Sequence, residues 1–489
     1  MKFSFPFKIY LIALALRLVP VLLTMSLGIG LDDMFQYDML ARSLASGNGY
    51  RWYAREDLKL LEPYVEFDLS AVPEYDPQLG VYTSFRAPLY PAFLAAIYFL
   101  SGLDFSRFFA ARMAQVILLG APLAPLTYLV AKRFFTLSTP SQNAMALLAH
   151  PAAEQTARLS AWVVACYPIL LVYPLGLGTE NLFFTLLLLS FLFLLKITET
   201  PSILNFLLFG FFLALTALTR SVILPFAGVS LLHFLYLYRK KALTAAAAFL
   251  FVVSPWALRN SLLHHKLTGI ETSMGYNLCL GYHPDGNGSF IFGPSLDLLT
   301  IMDDAERDAV GTQKAIEFIR AQPERFIPLA FNRLGFFFGL EKRVLIYFYS
   351  NNILGYIPLP WLLLLLVFFL SPFVLTSLFA VLGFAALRRS LQTHMLSLLF
   401  FAYILPHILI LSEDRFHLAL IPFAAILAAF AFTLMTERSY LQFTPLTSLV
   451  AAALLMIFLA LNWGLELHRD ADKIAAILRP DGHQSYFPY

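Results

Sequence analysis

Apolar stretches about as long as a bilayer is thick recur along the whole chain, and no other feature of the sequence restricts its fold as strongly. A helix needs roughly 20 mainly apolar residues to cross the hydrocarbon. Eleven such runs occur, near residues 8 to 28, 108 to 131, 155 to 174, 177 to 196, 203 to 219, 221 to 238, 243 to 258, 357 to 385, 394 to 411, 417 to 435 and 444 to 464. Hydrophobic residues fill 59% of the 489 positions and charged residues only 13%, whereas a soluble domain carries about 25% charged residues. One water-facing globule cannot absorb that excess. The expected fold class is therefore an all-α polytopic membrane protein of about eleven transmembrane helices, with juxtamembrane helices and a small loop region outside the bilayer. The formal net charge of +3 excludes a strongly basic nucleic-acid footprint, so no nucleic-acid partner is expected. Two cysteines, Cys166 and Cys279, allow at most one bridge and no CxxC metal site.

The first run follows Lys2 and Lys8 but lacks a small-residue cleavage site between Leu27 and Asp33, and it is expected to stay as an anchor. Basic residues then orient the spans, since short cytoplasmic loops collect Lys and Arg. Lys2 and Lys8, Lys132 and Arg133, Lys196, Arg239 to Lys241, Arg388 and Arg389, and Arg438 fall on alternate sides of successive runs. That side is expected to be cytoplasmic. The external side then holds two long polar stretches, 29 to 107 and 259 to 355, with short turns near Glu180, Arg220 and Ser412 to Phe416. The chain accordingly divides into a transmembrane module at 1 to 258 containing the first external loop, an external loop region at 259 to 355, C-terminal spans at 356 to 465 and a tail at 466 to 489. The stretch 142 to 155 is ambiguous, and the long run at 357 to 387 can kink at Pro372. Internal repeats of the kind found in secondary transporters are not evident.

The external residues carry the chemistry. Asp32 and Asp33 open a segment in which Met34, Tyr37, Leu40, Ala41 and Leu44 recur at helical spacing before Gly47, which predicts an amphipathic helix on the membrane surface. Asp33 with Gln36 has capping-box spacing, and a cap and a catalytic acid are both open readings. Arg86, in Arg86-Ala87-Pro88-Leu89-Tyr90-Pro91, suits a two-pronged grip on phosphate or an interfacial anchor. Glu180 opens a span, where an acid is favoured by the helix dipole, and Arg220 lies between two spans and must find an anion or water. Arg259 begins the second external stretch, in which Glu271, Tyr276 and Asn277 sit in polar, aromatic sequence suited to an acceptor or sugar loop. Arg415 in Glu413-Asp414-Arg415-Phe416 is a second phosphate-ligand candidate or a partner of its acidic neighbours. His264, His265 and His283 lack metal spacing and read as surface histidines. Nucleotide-binding and serine-hydrolase signatures are not found.

Taken together, five elements resemble the membrane-embedded C-type (GT-C) glycosyltransferase superfamily, and more narrowly bacterial relatives of the dolichyl-phosphate-mannose protein mannosyltransferases and of the lipid A aminoarabinose transferase. They are Asp33 with Tyr37, Ala41, Leu44 and Gly47 to Tyr50; Arg86 to Pro91; Thr179-Glu180-Asn181-Leu182-Phe183; Pro255-Trp256 with Arg259-Asn260; and Arg415-Phe416 with Pro422. All five lie in order between residues 30 and 425 on the side expected to be external. The chain departs from the family in its first acidic pair, where Met34 follows Asp33, and in Phe85, which stands where the aminoarabinose transferase has an acid.

The resemblance implies a GT-C fold and inverting transfer of one sugar from a polyprenyl-monophosphate donor to a protein, lipid or glycan acceptor. It places the active site on the periplasmic side of a bacterial inner membrane, within the cell envelope. Asp33 is the expected base, with Asp32 as the alternative. Arg86, Arg220, Arg259, Arg415, Tyr37, Tyr90 and Glu180 are expected at the donor and its phosphate, and membrane lipid is a further partner. No cofactor is implied with certainty, and a divalent metal stays open. The other readings are a polymerase or ligase using pyrophosphate-linked glycans and, less favoured, a lipid-linked sugar transporter or flippase.

Overall fold

The computed structural model describes residues 3 to 486 apart from 68, 70 to 71, 73 to 74 and 138 to 144. Among the described residues nine single helices are long and apolar enough to cross a bilayer: Phe5–Leu23, Arg107–Thr136, Thr179–Glu199, Ser221–Lys241, Leu243–Leu263, Leu359–Ala385, Leu391–Leu409, Phe416–Thr436 and Leu446–Arg469. A tenth span is bent by 55° between Ala152–Cys166 and Pro168–Leu175. The bend has a local cause, because the residue before a proline is pushed out of the helical region, and Tyr167 sits at ψ 114 before Pro168. The helix Ile203–Thr219 is apolar but has only 17 residues. These eleven elements account for the eleven predicted runs, and the protein is an integral, multi-pass membrane protein of the all-α class. Of the ambiguous stretch, 142 to 144 lies outside the described residues, and the helix Met145–Cys166 covers the rest. Leu359–Ala385 runs through Pro372 as a single helix.

Burial separates central spans from peripheral ones. In Thr179–Glu199 and Phe416–Thr436, 78% of the most apolar stretch is buried within the protein, against 11% in Leu243–Leu263 and 17% in Leu359–Ala385 and in Leu446–Arg469. The peripheral helices leave large apolar side chains such as Phe251, Val367 and Leu454 exposed, as suits a lipid-facing surface. Each central span presents a charged residue at the same end, with Glu180 in the first turn of one and Arg415 immediately before the other. The opposite end gathers the basic clusters. There Lys132 pairs with Glu154 at 3.0 Å, Arg133 with Glu199 at 3.9 Å, and the Lys241 Nζ donates to the Pro201 carbonyl at 3.4 Å.

The two long polar stretches fold together over the Glu180 end. The first contains the helices Asp33–Ala45, Arg55–Leu61 and Leu89–Ser101 and an antiparallel ribbon of Arg51–Trp52 with Val81–Tyr82. The second contains Met274–Tyr282, Phe292–Leu299, Asp304–Ala321, Phe326–Phe337 and Arg343–Ser350. Met274–Tyr282 and Asp304–Ala321 meet backbone to backbone, and a Cβ on Gly275 would lie 1.9 Å from the Asp308 carbonyl oxygen. Only glycine permits that approach. Across the two stretches, the fully buried Asp304 carboxylate accepts from the Thr83 hydroxyl and the Ser84 N–H, both at 2.6 Å, and pairs with Arg307 at 2.8 Å. Ser84 Oγ lies 2.6 Å from His264 Nε2, so His264 is part of this clamp rather than a surface residue. The segment that ends in Arg86 is thereby fixed from the second polar stretch.

The helix Asp33–Ala45 departs from expectation. It does not lie on the surface with one wet face, because Phe35, Met39 and Leu40 enter the main core while Tyr37 and Ala41 enter a second core with Tyr90, Leu94 and Tyr98. The remaining polar residue on its inner side, Asp38, is tied by Arg42 at 2.8 Å, Arg107 at 2.8 Å and the Tyr98 hydroxyl at 3.0 Å. Removing one partner from a buried ionic set costs about 3–5 kcal/mol, so this cluster locks the helix in place and with it the residues at its first turn.

Candidate functional site

Asp32 is the N-cap of that helix. Its backbone is extended and its Oδ1 accepts from the Met34 N–H at 2.8 Å, which satisfies one of the unpaired donors of the first turn. Capping therefore falls one residue earlier than the Asp33 and Gln36 spacing suggested, because the chain enters the helix at Asp32. Asp33 is left free for another task, and Gln36 accepts from Arg86 instead of reaching back to the cap.

Both oxygens of Asp33 face guanidinium groups. Oδ1 accepts from Arg86 Nη2, and Oδ2 accepts from Arg415 Nη2 at 3.0 Å. Arg86 also donates through Nε to Gln36 Oε1 at 2.8 Å, and its Cζ lies 5.4 Å from the centre of the Tyr37 ring. Gln36 and Tyr37 follow Asp33 by three and four positions, which puts all three on neighbouring parts of one helix face. The Arg86 carbonyl accepts from the Tyr50 hydroxyl at 2.9 Å. Arg415 donates through Nε to Glu413 at 2.9 Å and lies 3.9 Å from Glu180 Oε1. Glu180 accepts from Arg220 Nη1 at 2.6 Å. Arg343 reaches Glu413 at 2.7 Å and Asp414 at 3.6 Å. Four arginines thus interleave with Asp33, Glu180 and Glu413 at the ends of the two central spans.

The electrostatics follow from this packing. Burial alone would raise the Asp33 carboxyl, but Arg86 and Arg415 outweigh it and hold the group well below the usual carboxylate range. Burial likewise opposes ionisation of Glu413, and Arg343 and Arg415 overcome it and lower its value. Burial pushes the Tyr37 hydroxyl up to about 12, so it stays neutral and serves as a ring beside Arg86.

Other expected residues take supporting places. The Tyr90 ring stands edge-on to Tyr37 with centroids 5.2 Å apart, and its hydroxyl donates to Gln115 at 2.7 Å. Glu271 accepts from the Ser221 N–H at 3.3 Å and from the Ser221 hydroxyl, beside Arg220. Tyr276 is buried edge-on to Phe85, next to Arg86. Asn277 donates to the Ser273 carbonyl at 2.9 Å, within its own helix. Arg259 is not brought to Asp33. It donates to the Thr83 carbonyl at 2.6 Å, and its Cζ lies 4.9 Å from the Trp256 ring centre and 5.8 Å from that of Tyr50. Arg343 is the residue the sequence reading missed. It follows Glu341 and Lys342 in no recognisable motif, and only folding brings it to Glu413. No group of three His, Cys, Asp or Glu side chains converges on a metal position among the described residues.

No family model matches the chain, and no curated protein matches it. Among solved structures it is similar to the Archaeoglobus fulgidus oligosaccharyltransferase in complex with zinc and sulfate, at 14% identity and a TM-score of 0.49 over 99% of this chain and 53% of the other. The chain therefore spans about half the length of that protein. It is also similar to ArnT from Cupriavidus metallidurans, at 12% identity and a TM-score of 0.38. The form bound to undecaprenyl phosphate is matched over 86% of this chain and 77% of the other, and the apo form over 86% and 76%.

Proposed function

We propose that this membrane protein is a glycosyltransferase that moves one sugar, with inversion, from a polyprenyl-monophosphate carrier to an acceptor hydroxyl or amine on the external face of the membrane. The observation that carries this reading is the convergence of Arg86 and Arg415 on the Asp33 carboxylate, with apolar spans directly beneath to receive a prenyl tail. The motifs shared with the GT-C glycosyltransferases contribute the same residues. With a hydroxyl acceptor, the acceptor oxygen forms a bond to the anomeric carbon as its proton passes to the Asp33 carboxylate. The bond from that carbon to the carrier's phosphate oxygen breaks, and its electron pair leaves on the phosphate. Positioned general bases are worth about 10²–10⁴ in rate. The negative charge that grows on the phosphate is met by Arg86 and Arg415, which stabilise the transition state more than the bound donor. Glu180 and Arg220 hold Arg415 and the floor of the site. Positive residues gathered at the opposite end of the spans support an external location for the site.

The test is incubation of the purified protein with a set of radiolabelled polyprenyl-monophosphate sugars and an acceptor extract, following transfer of label from the lipid, with Asp33→Asn as control. Transfer by the unmutated protein alone establishes the reaction and names the donor. Pyrophosphate-linked donors are assayed in parallel, and transfer from these alone replaces the reading with a glycan polymerase or ligase.

A further inference from the structure

Each of the four arginines at the site is already engaged by a carboxylate: Arg86 by Asp33, Arg415 by Asp33 and Glu413, Arg220 by Glu180, and Arg343 by Glu413. A phosphate gripped by both Arg86 and Arg415 at the nitrogens they turn toward each other competes with the carboxylate they share. The three carboxylates differ in how freely they can yield. The Glu180 and Glu413 side chains are 7% and 9% exposed, and Asp33 is 33% exposed. Asp33 also stands at the first position of its helix, whose positive end supports a carboxylate that has let go of its partners. Arginine forks accept carboxylate and phosphate with the same bidentate geometry.

We infer that Asp33 occupies, as an internal carboxylate, the place that the donor's phosphate takes between Arg86 and Arg415, so that donor entry and release of the base are a single event. This inference rests on the proposed donor chemistry and adds to it an order of events. While two guanidinium groups grip Asp33, it is a feeble proton acceptor. Once phosphate has displaced it, the carboxylate has lost two positive neighbours and gained a negative one, and its proton affinity rises. The acceptor hydroxyl meets a competent base only when the donor is in place.

Self-occupancy lowers apparent affinity by the fraction of protein whose site is open, so removing the internal competitor tightens binding. The experiment measures the affinity of the purified full-length protein for undecaprenyl phosphate in detergent micelles. Asp33→Asn is expected to bind about tenfold more tightly, or better, than the unmutated protein, and Asp33→Ser repeats the test with a shorter neutral side chain. The adjacent Asp32→Asn makes the same change of charge at a carboxylate that holds no arginine, and is expected to alter affinity by less than about threefold. Arg86→Ala is expected to weaken binding in either background. Unchanged or weaker binding by both Asp33 variants overturns the inference, as does equal tightening by Asp32→Asn, which would reduce the effect to the general field. In those cases, binding by the unmutated protein and its loss in Arg86→Ala leave the donor reading standing. Absence of binding in every variant overturns both.

Discussion

Asp33 Oδ2 and Arg415 Nη2 lie 3.0 Å apart although 382 positions separate them in sequence. The contact joins the helix that follows the first span to the turn before one of the two central spans. Arg415 serves Asp33 and Glu413 with different nitrogens of one planar group, and a lysine ammonium cannot reproduce that fork. Arg415→Lys is accordingly expected to lower turnover by about 10²–10³, the scale of losing a preorganised donor at a developing charge. Single-turnover loss of label from the lipid measures it, and retention of more than a tenth of normal turnover would sink the assignment.

The neighbouring acids separate by role. Asp32→Ala removes the helix cap and is expected to cost about 1 kcal/mol of stability, while Asp32→Asn keeps the cap and turnover within a few-fold. Asp33→Asn is expected to lower turnover by about 100-fold or more with folding intact. Thermal unfolding and turnover measured on the same preparations decide the matter. The opposite pattern transfers the role of base to Asp32.

Asp304 touches no residue that bonds Asp33, yet it holds Thr83 and Ser84, just ahead of Arg86. Asp304→Asn is expected to leave Arg307 buried without its counter-charge, to destabilise the fold by about 3 kcal/mol, and to raise the donor KM more than it lowers kcat. Asp304→Glu, which retains the charge, should restore stability in part. Equal KM values for the unmutated and Asn forms would show that Arg86 is positioned by other means.

Acidity provides an independent check. Asp33 is held below the usual carboxylate range by Arg86 and Arg415 despite its partial burial, with Arg220, Glu180, Glu413 and Asp32 as the surrounding charges. A group depressed on folding adds stability above its unfolded value and loses it as pH falls through the folded value. No stability change from Asp33 is therefore expected between neutral pH and about pH 5. The kcat/KM profile, which reports the free protein, should stay flat over the same interval, and the acid limb of kcat, which reports the donor complex, should lie at higher pH. Coincident limbs in the two profiles would contradict the release of Asp33 by phosphate.

Length and apolarity made every span legible, since crossing a bilayer is a local requirement that each segment meets by itself. Asp33, Glu180, Arg220 and Arg415 were legible as charges near the ends of those segments, and Arg86 by the Arg86-Ala87-Pro88-Leu89-Tyr90-Pro91 sequence around it. Their pairing was not, because Asp33 with Arg415 and Arg220 with Glu180 depend on how distant helices pack. Asp32 and Asp33 both have capping chemistry, and only the extended backbone at Asp32 separates them. The surroundings of Arg259 were not legible for a related reason. The helix continues past it to Leu263, and the turn of the helix lays its guanidinium along Trp256, three positions earlier, instead of toward Asp33.

Glu341, Lys342 and Arg343 each reach a different part of the protein. Glu341 accepts from Tyr167 at 2.9 Å, Lys342 bonds Glu466 and lies 3.0 Å from Asp470, and Arg343 bonds Glu413 at 2.7 Å. Synthesis proceeds from one end, so Lys342 waits for partners made more than a hundred residues later. Arg415 completes the list of site residues well before the span Leu446–Arg469 has left the ribosome. A nascent chain at that stage holds every group of the site but lacks the far side of this three-way junction. The span Leu446–Arg469 thus completes a junction that begins beside the site but is finished only after every group of the site has been made.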